Sequence, residues 1–196
     1  MKKSYIAIGV IIVIVLAAFF WFKGHYNQMV GRGEAISAQW SNVENQYQRR
    51  ADLIPNLVNT VKGYAEHEQS TLQQVVEARA KASQTRIDFN NLDEQTIQRF
   101  NAAQGELSSA LSRLMVSVEK YPDLKANENF RDLQAQLEGT ENRIAVERRK
   151  FNEEVKSYNA YIRYFPQNIV ANMFGFTPKP YFEAAEGTEQ APKVEF

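Results

Sequence analysis

Residues 130–165 read FRDLQAQLEGTENRIAVERRKFNEEVKSYNAYIRYF. Phe130, Leu133, Leu137, Thr140, Ile144, Glu147, Phe151, Val155, Tyr158, then Tyr161 or Ile162, and Phe165 recur at steps of three and four. On a helix of 3.6 residues per turn these side chains form one stripe. The first proline after Phe130 is Pro166, so the spacing predicts a single helix of roughly 36 residues, about 54 Å long. A narrow apolar stripe on an otherwise charged helix must be covered by other helices. The fold class this predicts is all-α, an up-and-down antiparallel bundle of long helices with coiled-coil-like packing.

Working outward, a second series runs Ile97, Phe100, Gln104, Leu107, Leu111, Leu114, Val118 and Tyr121, and a first runs Trp40, Val43, Tyr47, Ile54, Leu57, Val61 and Tyr64. Arg50 occupies a stripe position in the first. Leu72, Val75, Val76 and Ala82 read as a weaker extension of the first series to about Ser83. The polar stretch 83–92 reads as a loop. Asn90, Asn91 and Asp93 are candidate caps for the second helix, and Asn127 and Asn129 for the third. Tyr121-Pro122 ends the second, because a residue before proline resists the helical region. Pro55 lies inside the first series, where it either kinks a long helix or starts a new one near Leu53 with Asp52 as cap.

Residues 5–22, YIAIGVIIVIVLAAFFWF, carry no charge and span about 27 Å as a helix, close to the hydrocarbon thickness of a bilayer. Residues 1–4 form a short flank. Lys2, Lys3 and Lys23 stand where they can reach the headgroups, and Tyr5 and Trp21 where aromatic rings favour the interface. A cleaved signal would place small residues at a cut site, whereas Ala17-Ala18 is followed by Phe19-Phe20-Trp21-Phe22. The segment therefore reads as an uncleaved transmembrane anchor. Positive charge before it exceeds that after it by about one unit, which favours an inside amino terminus and a translocated domain. That domain comprises residues 23–165. Residues 166–182, PQNIVANMFGFTPKPYF, read as a capping segment over the end of the bundle. The alternative is a docking segment that offers Met173, Phe174, Phe176, Tyr181 and Phe182 to a partner or a membrane surface. The acidic, small-residue tail 183–196 reads as disordered.

Composition removes several functions. The 23 basic and 23 acidic residues cancel, leaving no overall electrostatic reason to seek nucleic acid. The chain has no cysteine, so disulfides, thiolate metal sites and a cysteine nucleophile are excluded. Two histidines, His25 and His67, are too few for a multi-histidine metal site within one chain.

The runs Trp40-Ser41-Asn42-Val43 and Arg49-Arg50-Ala51-Asp52-Leu53-Ile54-Pro55-Asn56-Leu57-Val58 resemble the first signature of the LemA family. Leu137-Glu138-Gly139-Thr140-Glu141-Asn142-Arg143-Ile144 is similar to its second. Arg148-Arg149-Lys150-Phe151-Asn152 and Tyr158-Asn159-Ala160-Tyr161-Ile162-Arg163 extend the likeness, which spans about residues 1–176. The resemblance implies a bacterial membrane protein with an amino-terminal anchor and an antiparallel helical domain, placed in the inner (cytoplasmic) membrane. It implies no activity. The family's name has also been given to an unrelated sensor kinase, but this chain has neither a kinase phosphate loop nor a catalytic-loop motif.

Candidate chemistry is sparse. Glu66-His67-Glu68 is the nearest approach to a metal cluster, but a helical zinc protease needs a second histidine at position 71, which is Thr71. A solvated helix face is the simpler reading. Arg148-Arg149-Lys150 has Glu147 and Glu153-Glu154 beside it, so ion pairs explain it better than an anion site. Arg50 is expected to meet Glu141 or Glu147 on the third long helix and to set helix register, with Gln104 and Thr140 as further polar register positions. No catalytic, cofactor-binding or metal-binding residue is assigned, and the protein is read as non-enzymatic. The expected function is a membrane-anchored scaffold that self-associates into an envelope homo-oligomer. The alternative is an adaptor that docks a membrane protease or stress-response component through its carboxyl-terminal aromatic segment.

Overall fold

The computed structural model describes residues 2–65, 68–85, 87–89 and 92–182, with side chains from residue 5 onward. Six helices follow one another: α1 (Lys2–Lys62), α2 (Gln69–Gln84), α3 (Glu94–Val118), α4 (Pro122–Ala126), α5 (Glu128–Arg163) and α6 (Gln167–Phe174). No strand occurs among the described residues. The tail 183–196 and the candidate caps Asn90 and Asn91 lie outside them.

The anchor and the first long domain helix are one element. α1 contains 61 residues, about 92 Å of helix. Over the anchor its apolar side chains point outward all round, with Ile6, Val13 and Phe20 each more than 60% exposed. A helix apolar on every face with no protein cover is suited to lipid. From Met29 onward the same helix buries a stripe through Ile36, Trp40, Val43 and Tyr47.

Pro55 neither starts a new helix nor ends the old one, and α1 continues through it to Lys62. Proline has no N–H, so the carbonyl of Ala51, one turn back, loses its helical donor. Arg79 of α2 supplies the replacement, its Nε donating to the Ala51 oxygen at 2.7 Å. The real break comes at Gly63-Tyr64, after which the chain reverses. Leu72, Val75 and Ala82 therefore belong to a separate helix packed on α1 and α3 rather than to an extension of α1. The Arg79 bond should be needed only because Pro55 is present. Arg79→Met is expected to lower stability by about 1–2 kcal/mol. In a Pro55→Ala background, where residue 55 again donates to Ala51, the loss should shrink to a few tenths of a kcal/mol. Equal losses in both backgrounds, by chemical denaturation, would refute the compensation.

Two caps sit where the sequence placed them. Asp93 accepts from the Thr96 N–H at 2.7 Å and Asn127 from the Phe130 N–H at 3.0 Å. Asn129 lies within α5 and is not the cap. Pro122 does more than end the preceding helix. It opens the short α4, whose Leu124 is fully buried. The 83–92 connection is less polar in effect than its composition suggests, because Ile87 and Leu92 are buried and Phe89 packs against the same core.

Most stripe positions are buried, with informative exceptions. Leu111 is only half-buried, and its place at the centre of the stripe passes to Leu107, Ala110 and Leu114, each no more than 1% exposed. Ala110 has no bulk to hold α3 away from its neighbours, so the buried face turns towards it. Tyr64, Val76 and Phe165 are exposed. α1 and α5 share the most extensive helix contact. Along it His25 meets Tyr161, Arg32 meets Ser157, Gln39 meets Glu147 and Arg50 meets Glu141.

Candidate functional site

The core is divided in two. One apolar cluster contains Trp40, Tyr47, Phe100, Ile144 and Phe151, and the other Ile54, Leu107, Leu114 and Leu137. Between them, at the same level on three helices, lie Arg50 of α1, Gln104 of α3 and Glu141 of α5. Arg50 Nη1 donates to Glu141 Oε2 at 2.7 Å and to Ser108 Oγ at 3.0 Å. Its Nη2 donates to Gln104 Oε1 at 2.7 Å and approaches the Gln104 carbonyl at 3.4 Å. The guanidinium also lies 5.2 Å from the Tyr47 ring centroid. Gln104 Nε2 reaches the Ala82 carbonyl at 3.5 Å, which extends the layer to α2.

This layer joins four helices, and its burial is uneven. The Arg50 side chain is 3% exposed and that of Glu141 58%. The expected contact with Glu141 is therefore present, but its carboxylate stands in solvent. Glu147 is engaged elsewhere, accepting from Lys150 Nζ at 2.9 Å and Gln39 Nε2 at 2.6 Å. Those two hydrogen bonds hold its carboxyl below the usual range. Thr140 is buried but donates to Gln136 of its own helix at 2.7 Å, so it is not part of the interhelical layer. Burial pushes the Tyr47 phenol above its ordinary value, against the lowering effect of Arg148 and Arg50. A cleft of about 240 Å³ opens beside Tyr47, Phe100 and Gln104. The Arg50 guanidinium keeps its charge and the Tyr47 phenol its proton near pH 7. The arrangement can fix the mutual height of the helices, while the cleft itself is lined by Glu44, Gln48 and Gln104 rather than by Arg50.

A second polar device is not marked by the apolar stripes. After Gly175, whose φ of 75° ends α6 in the left-handed conformation, residues 176–182 run back along α5. Asn159 receives the Lys179 N–H and donates to the Lys179 carbonyl, both at 2.8 Å. Asn152 does the same for Phe182, at 2.8 and 2.9 Å. Tyr158 Oη donates to the Thr177 carbonyl at 3.1 Å. The spacings match: seven residues of α helix rise about 10.5 Å, and three residues of extended or polyproline chain about 9–10 Å. Pro178 and Pro180 bring no N–H that would need a partner. At the end of this strap, Phe182 is 4% exposed and stacks on Trp40, with Phe100 and Phe151 beside it. Arg148, read as part of a basic run, lies over its other side. One signal was available in the sequence: asparagine is a poor helix former, yet it recurs seven residues apart on the buried side of α5. Asn159→Ala leaves both Lys179 groups unmatched and is expected to cost about 1–3 kcal/mol. It should also make the strap a preferred site of limited proteolysis, and parent-like proteolysis would count against this role.

The other candidates separate. Glu66 and His67 lie outside the described residues, and Glu68 accepts from Tyr121 Oη at 3.3 Å. His25 Nδ1 is 2.7 Å from Tyr161 Oη, and its ring is 4.4 Å from that of Trp21. Among the described residues no three acidic or histidine side chains converge as a metal site would require.

A family model described as the LemA family matches residues 39–196. Magnetosome protein MamQ 2 of Paramagnetospirillum magneticum is 28% identical over 195 residues, covering 90% of this chain and 72% of its own. Magnetosome protein MamQ of Magnetospirillum gryphiswaldense is 28% identical over 174 residues, covering 80% of this chain and 64% of its own. Protein LemA of Metamycoplasma hominis is 24% identical over 168 residues, covering 86% and 73%. With the matched region taking in nearly all of the helical domain beyond the anchor, the chain belongs to the LemA family.

Proposed function

We propose that this protein is a non-enzymatic scaffold, held in the bacterial inner membrane by the first part of α1 and self-associating into a homo-oligomeric envelope assembly. The observation that carries the reading is the continuity of α1. Anchor and domain share one helix, so the domain cannot swivel on a linker and every copy leaves the membrane at a similar attitude. Copies with a common attitude and no net charge approach side by side without strong self-repulsion. α1 meets α5 in reversed order along its length, which supports an antiparallel bundle whose polar Arg50 layer defines register. Lysine asymmetry around the anchor supports a translocated domain. The relatives named as magnetosome proteins are in keeping with a part in a cellular assembly.

Of the aromatic segment that the adaptor alternative needs, Phe182 and part of Phe176 are committed to the core, while Met173, Phe174 and Tyr181 stay exposed. Light scattering of the full-length protein in detergent and in nanodiscs tests the choice. A homogeneous particle of several chain masses is expected, and a strict monomer at all concentrations would overturn the scaffold.

A further inference from the structure

One apolar surface is left uncovered, and it lies beside the anchor. Phe165 is 80% exposed, Met173 62% and Tyr164 61%, with Phe174 and Ile169 about half exposed. On α6, Val170 and Ala171 face the core while Ile169, Met173 and Phe174 face outward. This helix is therefore apolar on both sides, and apart from the edge contact of Phe174 with Tyr26 its outer side stays exposed. Single exposed apolar residues are ordinary, but five within the eleven positions 164–174 form a patch that calls for an occupant.

The height of this patch identifies the occupant. The Phe174 ring packs 4.9 Å from Tyr26, and Tyr161, just before the exposed turn, meets His25. His25 and Tyr26 come three and four residues after Phe22, the end of the apolar anchor, a distance of about 4.5–6 Å along the helix. The headgroup layer on each side of a bilayer is roughly 5–7 Å thick. Because α1 is continuous, the patch is held at the level of that layer. Lys23 and Arg163, both exposed, stand where they can meet lipid phosphates.

We propose that Tyr164, Phe165, Ile169, Met173 and Phe174 form an interfacial foot that dips into the same leaflet from which α1 emerges. The foot gives the domain a second lipid contact, beside and distinct from the anchor, which adds to the hold that the continuous helix already has on its attitude. An amphipathic element lying in the interface plane binds through buried apolar area in this way. The inference rests on the anchor reading and does not depend on self-association.

The absence of native cysteine makes the test direct. Single-cysteine variants Met173→Cys, Phe165→Cys, Ile14→Cys and Val116→Cys of the full-length chain are labelled with bimane. They are then reconstituted in phosphatidylcholine vesicles containing lipid brominated near the top of the acyl chain. Residue 14 lies in the anchor, whereas Val116 is 71% exposed near the far end of α3. Labels at 173 and 165 are expected to lose at least half their fluorescence to the brominated lipid and to resist iodide, while the label at 116 does the reverse. If label 14 is quenched but 173 and 165 behave like 116, the foot is refuted and the anchor stands. If label 14 is not quenched by bromolipid in either leaflet, both readings fall. Protection of 173 from iodide without lipid quenching would mean that protein covers the patch, which also overturns the proposal.

Discussion

Phe151→Asp is expected to unfold the helical domain outright. Phe151 is fully buried, with its ring against Trp40 and Phe182, where α5, α1 and the strap converge. Truncating such a ring to alanine costs about 3–5 kcal/mol through lost burial and the cavity left behind. An unpaired carboxylate in the same place adds several kcal/mol more. Together these approach or exceed the roughly 5–15 kcal/mol by which domains of ordinary size are stable. Circular dichroism of the purified variant should show lost cooperative melting. Val116→Asp, on the solvent side of α3, should stay within about 0.5 kcal/mol of the parent. A Phe151→Asp variant that melts like the parent would mean that the α1–α5 contact is not the centre of the core.

The Arg50 layer should respond unequally to loss of its members. Arg50→Met releases Glu141 into water it already touches, so little cost arises there. Gln104 is 7% exposed and loses the donor to its Oε1, which should cost about 1–3 kcal/mol. Adding Gln104→Leu removes the stranded group and is expected to restore parent stability or better, as apolar replacement of buried polar groups often does. Glu141→Ala acts in the opposite sense, because it leaves a buried guanidinium without its counter-charge. Its cost should lie between the 0–1 kcal/mol or so of a surface pair and the 3–5 or so of a broken buried pair. Urea titrations of the full double-mutant cycle measure both couplings. Additive losses for Arg50 with both Glu141 and Gln104 would remove the register role.

Much of the fold is written locally. The period of three and four along α3 and α5 specifies helices with one buried face, and the uncharged run at residues 5–22 specifies an apolar helix of membrane length. Arg50 in a stripe position already implied an acceptor on a facing helix. Glu141 was one of the two carboxylates placed to provide it, and a geometric choice between them required the structure.

Other features depended on neighbours distant in sequence. Whether α1 passes through Pro55 turns on Arg79, 28 residues away. Helical propensity at Pro55 records the lost hydrogen bond but not its replacement. Leu111 and Leu114 are equivalent in a stripe, yet only Leu114 is sealed, because the approach of other helices to Ala110 selects the buried side. The strap along α5 left the weakest local trace, since two asparagines seven residues apart, Asn152 and Asn159, do not reveal which extended segment they match. The helices, their apolar faces and the membrane-length segment follow from residue spacing along one chain. Tertiary structure alone decided where α1 ends, which polar groups are satisfied and which apolar residues stay exposed beside the anchor. Each of those depends on atoms brought together from separate helices.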